Sequence, residues 1–354
     1  MNYSEADRNK STPAVRQSRT LRAMRIILCG RTFPAAREAL ASLLPDEDTR
    51  TVDTTELPGA VGTADVLIPL MARIDATLIA ATSARLIQQW GAGLDGVDIA
   101  AATARGVRVC NVPSDATANG DSTAEHALLL MLGVARRLRS CARTFREGAW
   151  GVPRGEALAG GGALIVGFGR VGKALARRLL AMGMRVDAIR RVPEPGEAER
   201  HGLGRLGTPN DLIRLAAAAD FLVCTAAPDS GGRGLISAAV LHAMKPTSVV
   251  VNVGRGAVID EAALISALTD GTIAGAGLDV FQQEPLPPDH PLLQMENVLA
   301  TPHVAGVTRQ SYEGIAAIVA DNVRRLGTAG ELRYCVNPGG DEGIVRASTS
   351  LSTP

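Results

Sequence analysis

Three ionisable residues stand where apolar runs give way to loops: Arg255 in Asn252-Val253-Gly254-Arg255-Gly256, Glu284 in the stretch from Asp279 to Pro285, and His303 in Thr301-Pro302-His303-Val304-Ala305-Gly306. In an open α/β sheet, ligands collect outside the carboxyl ends of the strands, so all three are expected to face one cleft. Their chemistry is complementary. An arginine grips a carboxylate bidentately, a histidine exchanges a proton near neutral pH, and a glutamate beside it stabilises the imidazolium. With a nicotinamide present, the set would serve hydride transfer to the carbonyl of a 2-oxo acid. Taken singly, each also reads as a surface arginine, a glutamate in a turn before proline, or a histidine capping a loop.

The nicotinamide is suggested by Ala163 to Arg191. An apolar run, Ala163 to Val166, leads into Gly167-Phe168-Gly169-Arg170-Val171-Gly172, then into Ala174, Leu175, Leu179 and Leu180 at helical spacing, with Gly183 to stop the helix and a second apolar run around Val186. The order is strand, glycine turn, helix, strand. Gly167 would make the tight turn, Gly169 would admit a pyrophosphate close to backbone, and Gly172 would let the helix pack on the strand. Free amides and the helix dipole favour the phosphate charge. A carboxylate that would take the ribose 2′-hydroxyl is expected about 20 residues on. The chain instead offers Arg190 and Arg191 there, with Asp187 still inside the strand, so NADP(H) is the preferred cofactor and NAD(H) the alternative.

Composition sets the frame around these residues. A chain of 354 residues suits two domains, each with its own core. Aromatics are only 3%, so the cores must be built from Ala, Val, Leu and Ile. A formal net charge of +1 gives no argument for nucleic acid or an acidic membrane surface as partner. The five cysteines are odd in number, show no CxxC spacing and mostly lie in or beside apolar runs, as expected of small core residues in a reducing compartment, and no metal site is evident. The longest apolar stretch, around Ala127 to Leu132, is far short of the ~20 residues that span a bilayer. The reading is a cytoplasmic protein with no membrane partner.

In chain order, residues 1–22 read as a disordered extension, with Met24 directly before the first strand, Arg25 to Gly30. Further strands are expected at Ala64–Pro69, near Gln89, at Val107–Cys110, Phe221–Cys224, Ser248–Val253, Gly275–Val280 and Val298–Thr301. A long helix is predicted over Thr123–Arg146, with Ser122 as N-cap and Glu125 completing a capping box. Asp260–Leu268 and Gln310–Leu326 read as helices, and residues 339–354 as a flexible tail. The glycine turn thus falls mid-chain. The substrate domain is expected to be discontinuous, over 23–121 and 307–338, with the dinucleotide domain over 122–306.

The motifs VGFGRVG, NVGRGAVIDEAALISAL, GAGLDVFQQEPLP and TPHVAG, in this order, resemble the D-isomer-specific 2-hydroxyacid dehydrogenases over Met24 to Pro338. The resemblance implies two Rossmann-like, doubly wound parallel-sheet α/β domains with a cleft between them. It implies that Arg255 binds the substrate carboxylate and carbonyl, that His303 is the acid/base and that Glu284 is its partner. It further implies that Asp279 contacts the nicotinamide carboxamide, that Arg170, Val171, Pro228 and Val253 line the cofactor, and that amides near Ala92 and Gly93, in Gln89-Trp90-Gly91-Ala92-Gly93-Leu94-Asp95, hold the substrate carboxylate. Arg190 departs from the acid usual in NAD-using members. His126, on the long helix, reads as a packing or interface residue.

The family likeness also implies a homodimer, with the Thr123 helix packing across the interface. Glu284 argues against a formate dehydrogenase, which carries glutamine there, and the chain length leaves no room for the regulatory domain of many phosphoglycerate dehydrogenases. Both a small glyoxylate- or hydroxypyruvate-like acid and a bulkier apolar 2-oxo acid near Trp90 and Met71 fit the sequence. The rival reading is a nucleotide-sensing binding protein similar to the C-terminal-binding corepressors, which share the fold and the triad.

Overall fold

The computed structural model describes residues 22–227 and 232–337, so the expected loose termini and the expected cofactor contact Pro228 lie outside the described residues. The first sheet is formed by β1 (Arg25–Cys29), β2 (Asp48–Val52), β3 (Val66–Ile68), β4 (Leu86–Gln88) and β5 (Arg108–Cys110), in the order β2-β1-β3-β4-β5. The second is formed by β6 (Gly162–Val166), β7 (Arg185–Ile189), β8 (Arg205–Gly207), β9 (Phe221–Cys224), β10 (Val249–Asn252), β11 (Gly275–Leu278) and β12 (Val298–Ala300), in the order β12-β11-β10-β9-β6-β7-β8. All these strand pairings are parallel. Parallel strands are joined by crossover helices that cover both faces, which is why they read as unbroken apolar runs.

Alternate residues serve opposite faces. In β9, Leu222 and Cys224 enter one core while Phe221 and Val223 enter the other. In β1, Ile26 and Leu28 pack against the Arg309–Gly327 helix, and Ile27 and Cys29 pack on the far side. In the seven-stranded sheet the strand order reverses between β6 and β9, and a crevice opens at such a switch point.

Two helices carry the chain between the sheets. Asn119–Ala135 leaves the first sheet and buries Ala124, Ala127, Leu130 and Met131 in the core of the second. Arg309–Gly327 returns and packs on the Pro34–Leu43 helix of the first. The helix expected from Thr123 departs from expectation at both ends. It begins at Asn119, so Ser122 is not its cap but an interior residue whose Oγ lies 2.8 Å from Thr308 Oγ1, and Glu125 accepts from Arg178 at 2.8 Å instead of closing a capping box. It ends at Ala135, whose carbonyl accepts the Glu156 N–H at 2.9 Å, and Arg137, at φ 51, starts a separate helix, Leu138–Arg146.

Candidate active site

The loop after β12 carries His303 in a left-handed conformation, φ 54. The buried carboxylate of Asp279, one residue past β11, holds that loop in place. Its Oδ1 accepts from Thr301 Oγ1 at 2.6 Å and Val304 N–H at 2.8 Å, and its Oδ2 from Ala305 N–H at 2.9 Å. His126 adds to this network, its Nε2 lying 2.9 Å from Thr301 Oγ1 and 3.5 Å from Asp279 Oδ1. Asp279 therefore orders the loop; its resemblance-based contact with a nicotinamide would have to use the remaining lone pairs.

Glu284 Oε2 lies 2.6 Å from His303 Nδ1, while Oε1 accepts the Phe281 N–H at 2.8 Å. The carboxylate is thereby fixed at both oxygens, and a charge-assisted bond of this length fixes the imidazole in turn. With Nδ1 committed to Glu284, Nε2 is the nitrogen left for a substrate oxygen.

Arg255 follows β10, and Asn252 shapes its turn: Oδ1 accepts the Gly254 N–H and Nδ2 donates to Arg255 O, both at 3.0 Å. Gly256 lies so close to the Phe281 carbonyl that a Cβ would overlap it, which joins the Arg255 and Glu284 loops. From the other sheet, Asp95 Oδ2 accepts from Arg255 Nε at 2.9 Å, and Gly93 presses on the guanidinium where any side chain would collide. Ala92 O is tied to Asn111 Nδ2 at 2.8 Å and Gly93 O to Gln89 Nε2 at 2.8 Å. The loop carrying Ala92 and Gly93 thus meets Arg255 across the cleft.

A cavity of about 550 Å³ opens beside His303 and Glu284, with Phe33, Met71, Leu286, Val307 and Tyr312 in its walls. Phe33 stands edge-on to the His303 ring, with centroids 5.7 Å apart. Met71 lines the cavity. Trp90 does not: it is buried and packs against Tyr312, ring centroids 5.4 Å apart, because its large ring fills the core beneath the loop. Phe33 and Asp95 are not singled out by the sequence, because their partners, His303 and Arg255, lie far along the chain.

The glycine turn follows β6. Gly167, at φ 100, lies so close to the Ala226 backbone that a Cβ would collide with it, and Gly172 packs against the Gly167 carbonyl, leaving no room for a side chain at either. Gly169, at the N-terminus of the Arg170–Ala181 helix, faces open space. Open ground before a helix N-terminus is what a pyrophosphate requires, so the residues fit a dinucleotide. Phe168 turns into the core and offers the turn only its backbone, Arg170 pairs with Asp115, Val171 is half-buried, and Val253 is buried with its N–H on Cys224 O at 3.0 Å. At the end of β7, Arg190 bonds Glu197 at 2.5 and 2.7 Å, and Arg191 follows it on the surface. Glu197 is almost wholly buried and also pairs with Lys173 at 2.9 Å. Burial pushes its carboxyl up, but hydrogen bonds from Lys173 and Arg190 more than offset this and bring it down to about 2.

Residues 128–305 match the profile of the D-isomer specific 2-hydroxyacid dehydrogenase NAD-binding domain. A glyoxylate reductase from Korarchaeum cryptofilum is 40% identical over 270 residues, 73% of this chain and 78% of that protein. The chain belongs to the D-isomer-specific 2-hydroxyacid dehydrogenase family. A D-3-phosphoglycerate dehydrogenase of the family, from Archaeoglobus fulgidus, is 36% identical over 77% of the chain, which spans about half (51%) of that relative. An NADPH-dependent glyoxylate/hydroxypyruvate reductase from Sinorhizobium meliloti, solved with NADP and malonate, superposes with a TM-score of 0.77 at 32% identity, covering 90% of this chain and 98% of that one. Among the described residues of this family member, no helix is long and apolar enough to cross a membrane.

Proposed function

We propose that the protein is an NAD(P)-dependent 2-hydroxyacid dehydrogenase that works as a 2-oxo acid reductase, with NADPH the preferred reductant. The observation that carries this reading is the His303–Glu284 pair at 2.6 Å, opening on the cavity between the sheets. When bound, the dinucleotide supplies the hydride; the turn from Gly167 to Gly172 would hold its pyrophosphate, and Arg190 and Arg191 its 2′-phosphate. Glu284 orients the imidazole and stabilises its charged form, and His303 Nε2 gives a proton to the carbonyl oxygen as negative charge develops there. Arg255 binds the substrate carboxylate, its guanidinium already oriented by Asp95. In the direction of oxidation the proton moves back to Nε2.

The walls of the cavity favour an apolar substituent on the 2-oxo acid. Phe33, Met71, Leu286 and Val307 would desolvate a phosphate there without a compensating cation, which is costly, whereas an alkyl or aryl group gains about 25 cal/mol per Å² buried. The test follows nicotinamide absorbance with NADPH or NADH, a panel of 2-oxo acids of increasing apolar size, and His303→Ala. The expected outcome is faster oxidation of NADPH than NADH, kcat/KM rising with apolar size, and a loss of about 10²–10⁴-fold in the variant. Equal turnover by the variant would sink the acid/base assignment. Nucleotide binding without turnover of any acid would favour a nucleotide-sensing role.

A further inference from the structure

Cys110 ends β5, the edge strand of the first sheet, and Cys335 lies on the segment that comes back to it after the Arg309 helix. The two residues are antiparallel bridge partners. Their neighbours carry the hydrogen bonds: Asn111 N–H donates to Tyr334 O at 3.3 Å, and Val336 N–H to Val109 O at 2.9 Å. The cysteines therefore form a non-hydrogen-bonded pair, in which opposed Cα atoms stand about 4.5 Å apart with side chains on one face. That spacing falls inside the ~4.4–6.8 Å that a disulfide spans. Asn337 fixes the register, its Oδ1 accepting from Val109 N–H at 2.7 Å and its Nδ2 donating to Val107 O at 2.9 Å and Thr103 Oγ1 at 3.0 Å.

The two sulfurs differ in surroundings. Cys110 is buried, whereas Cys335 is half-exposed with Arg108 Nε 3.3 Å from its Sγ. A hydrogen bond from Cys110, opposed by burial and aided by Arg108, holds the Cys335 thiol down to about 5, and the same bond together with burial pushes Cys110 up. Cys29 and Cys224 have no such partner and are driven up to about 12 by burial. Low-pKa, accessible cysteines beside a resolving thiol are the ones that oxidise reversibly.

We propose that Cys335 and Cys110 are a peroxide-oxidised dithiol, Cys335 reacting first and Cys110 resolving it. The Cys335 thiolate attacks one oxygen of hydrogen peroxide, the O–O bond breaks, and hydroxide leaves to become water, giving a sulfenic acid. Cys110 sulfur, giving up its proton, then attacks the Cys335 sulfur; the S–S bond forms and a second water leaves. Two thiols lose two electrons in all, and the peroxide gains them. In a reducing compartment such a bond is transient and serves sensing. It would clamp the returning segment to β5 directly before Asn111 and Val112, which tie the loop that meets Arg255 through Ala92 O at 2.8 Å and Gly91 O at 3.0 Å.

The test treats the full chain with near-stoichiometric hydrogen peroxide at mildly acidic pH, caps the remaining thiols and maps the peptides by mass spectrometry. The expected product is a peptide pair joined through Cys110 and Cys335, lighter by about 2 Da than the two free thiols and restored by dithiothreitol. Cys110→Ser should leave a Cys335 sulfenic acid that dimedone traps, and Arg108→Gln should slow iodoacetamide capping of Cys335 at that pH by about tenfold or more. Oxidation of Cys141 ahead of Cys335, or oxidation of Cys335 in the unaltered chain without linkage to Cys110, would overturn the proposal.

Discussion

The proposed acid/base histidine sits on a strained backbone position, and a single carboxylate organises the residues on both sides of it. Asp279 accepts from Thr301, Val304 and Ala305, so replacing it with asparagine would set an amide N–H₂ against at least one of these donors. An unsatisfied buried group costs about 1–3 kcal/mol, and a misplaced His303 costs turnover. Asp279→Asn should lower the melting temperature in a thermal scan and lower kcat more than it raises KM for the 2-oxo acid; unchanged kcat with a lowered melting temperature would leave Asp279 a purely structural residue. Arg255, Glu284 and His303 were singled out in the sequence because each lies in a loop shortly after an apolar run, and the His303–Glu284 contact at 2.6 Å accords with their types. Asp95 was not, because its partner Arg255 lies 160 residues away and nothing local distinguishes it from a turn aspartate.

Elements follow the same division between local and distant causes. β9 was legible residue for residue, and β6 and β10–β12 to within one or two, because strands buried on both faces carry their signal in continuous apolar runs. The start and end of the Asn119 helix were not, since its end is set by the Glu156 N–H reaching Ala135 O, a contact made across a loop. The loop after β7 depends on tertiary charge as well: Glu197 holds Arg190 and Lys173 together beside the glycine turn. Its carboxyl is brought from about 4.3 in an unfolded chain to about 2 in the fold, so it binds fewer protons folded than unfolded over that interval. Its stabilising contribution is complete above about pH 4.3 and is lost as the pH falls through about 2. Acid unfolding followed by circular dichroism should therefore show a stability loss across this window that is smaller in Glu197→Gln; an identical pH slope in the two proteins would mean that the ion pair is balanced by its own desolvation.

At the scale of the whole molecule, the sheet cores bury most of the apolar residues of the Asn119 helix. The apolar surface lies just beyond it. Phe145 is 69% exposed, Trp150 81% and Val152 56%, with the Phe145 and Trp150 rings 5.6 Å apart, and Leu138, on the same helix as Phe145, is also exposed. The chain has only two tryptophans and five phenylalanines, and placing one of each in water side by side is unfavourable unless something covers them. A second copy of the chain is the occupant that the family likeness suggests, and an interface over the Leu138–Arg146 helix and the segment after it would cover both rings. Trp150→Glu together with Phe145→Glu would bury two unpaired charges from each subunit in such an interface, at a cost of several kcal/mol per dimer. Light scattering behind a sizing column should give a dimer mass for the native chain and a monomer mass for the double variant, with the near-native circular dichroism expected of changes at exposed positions. A monomer mass for both would remove the dimer and leave the patch to a partner of another kind.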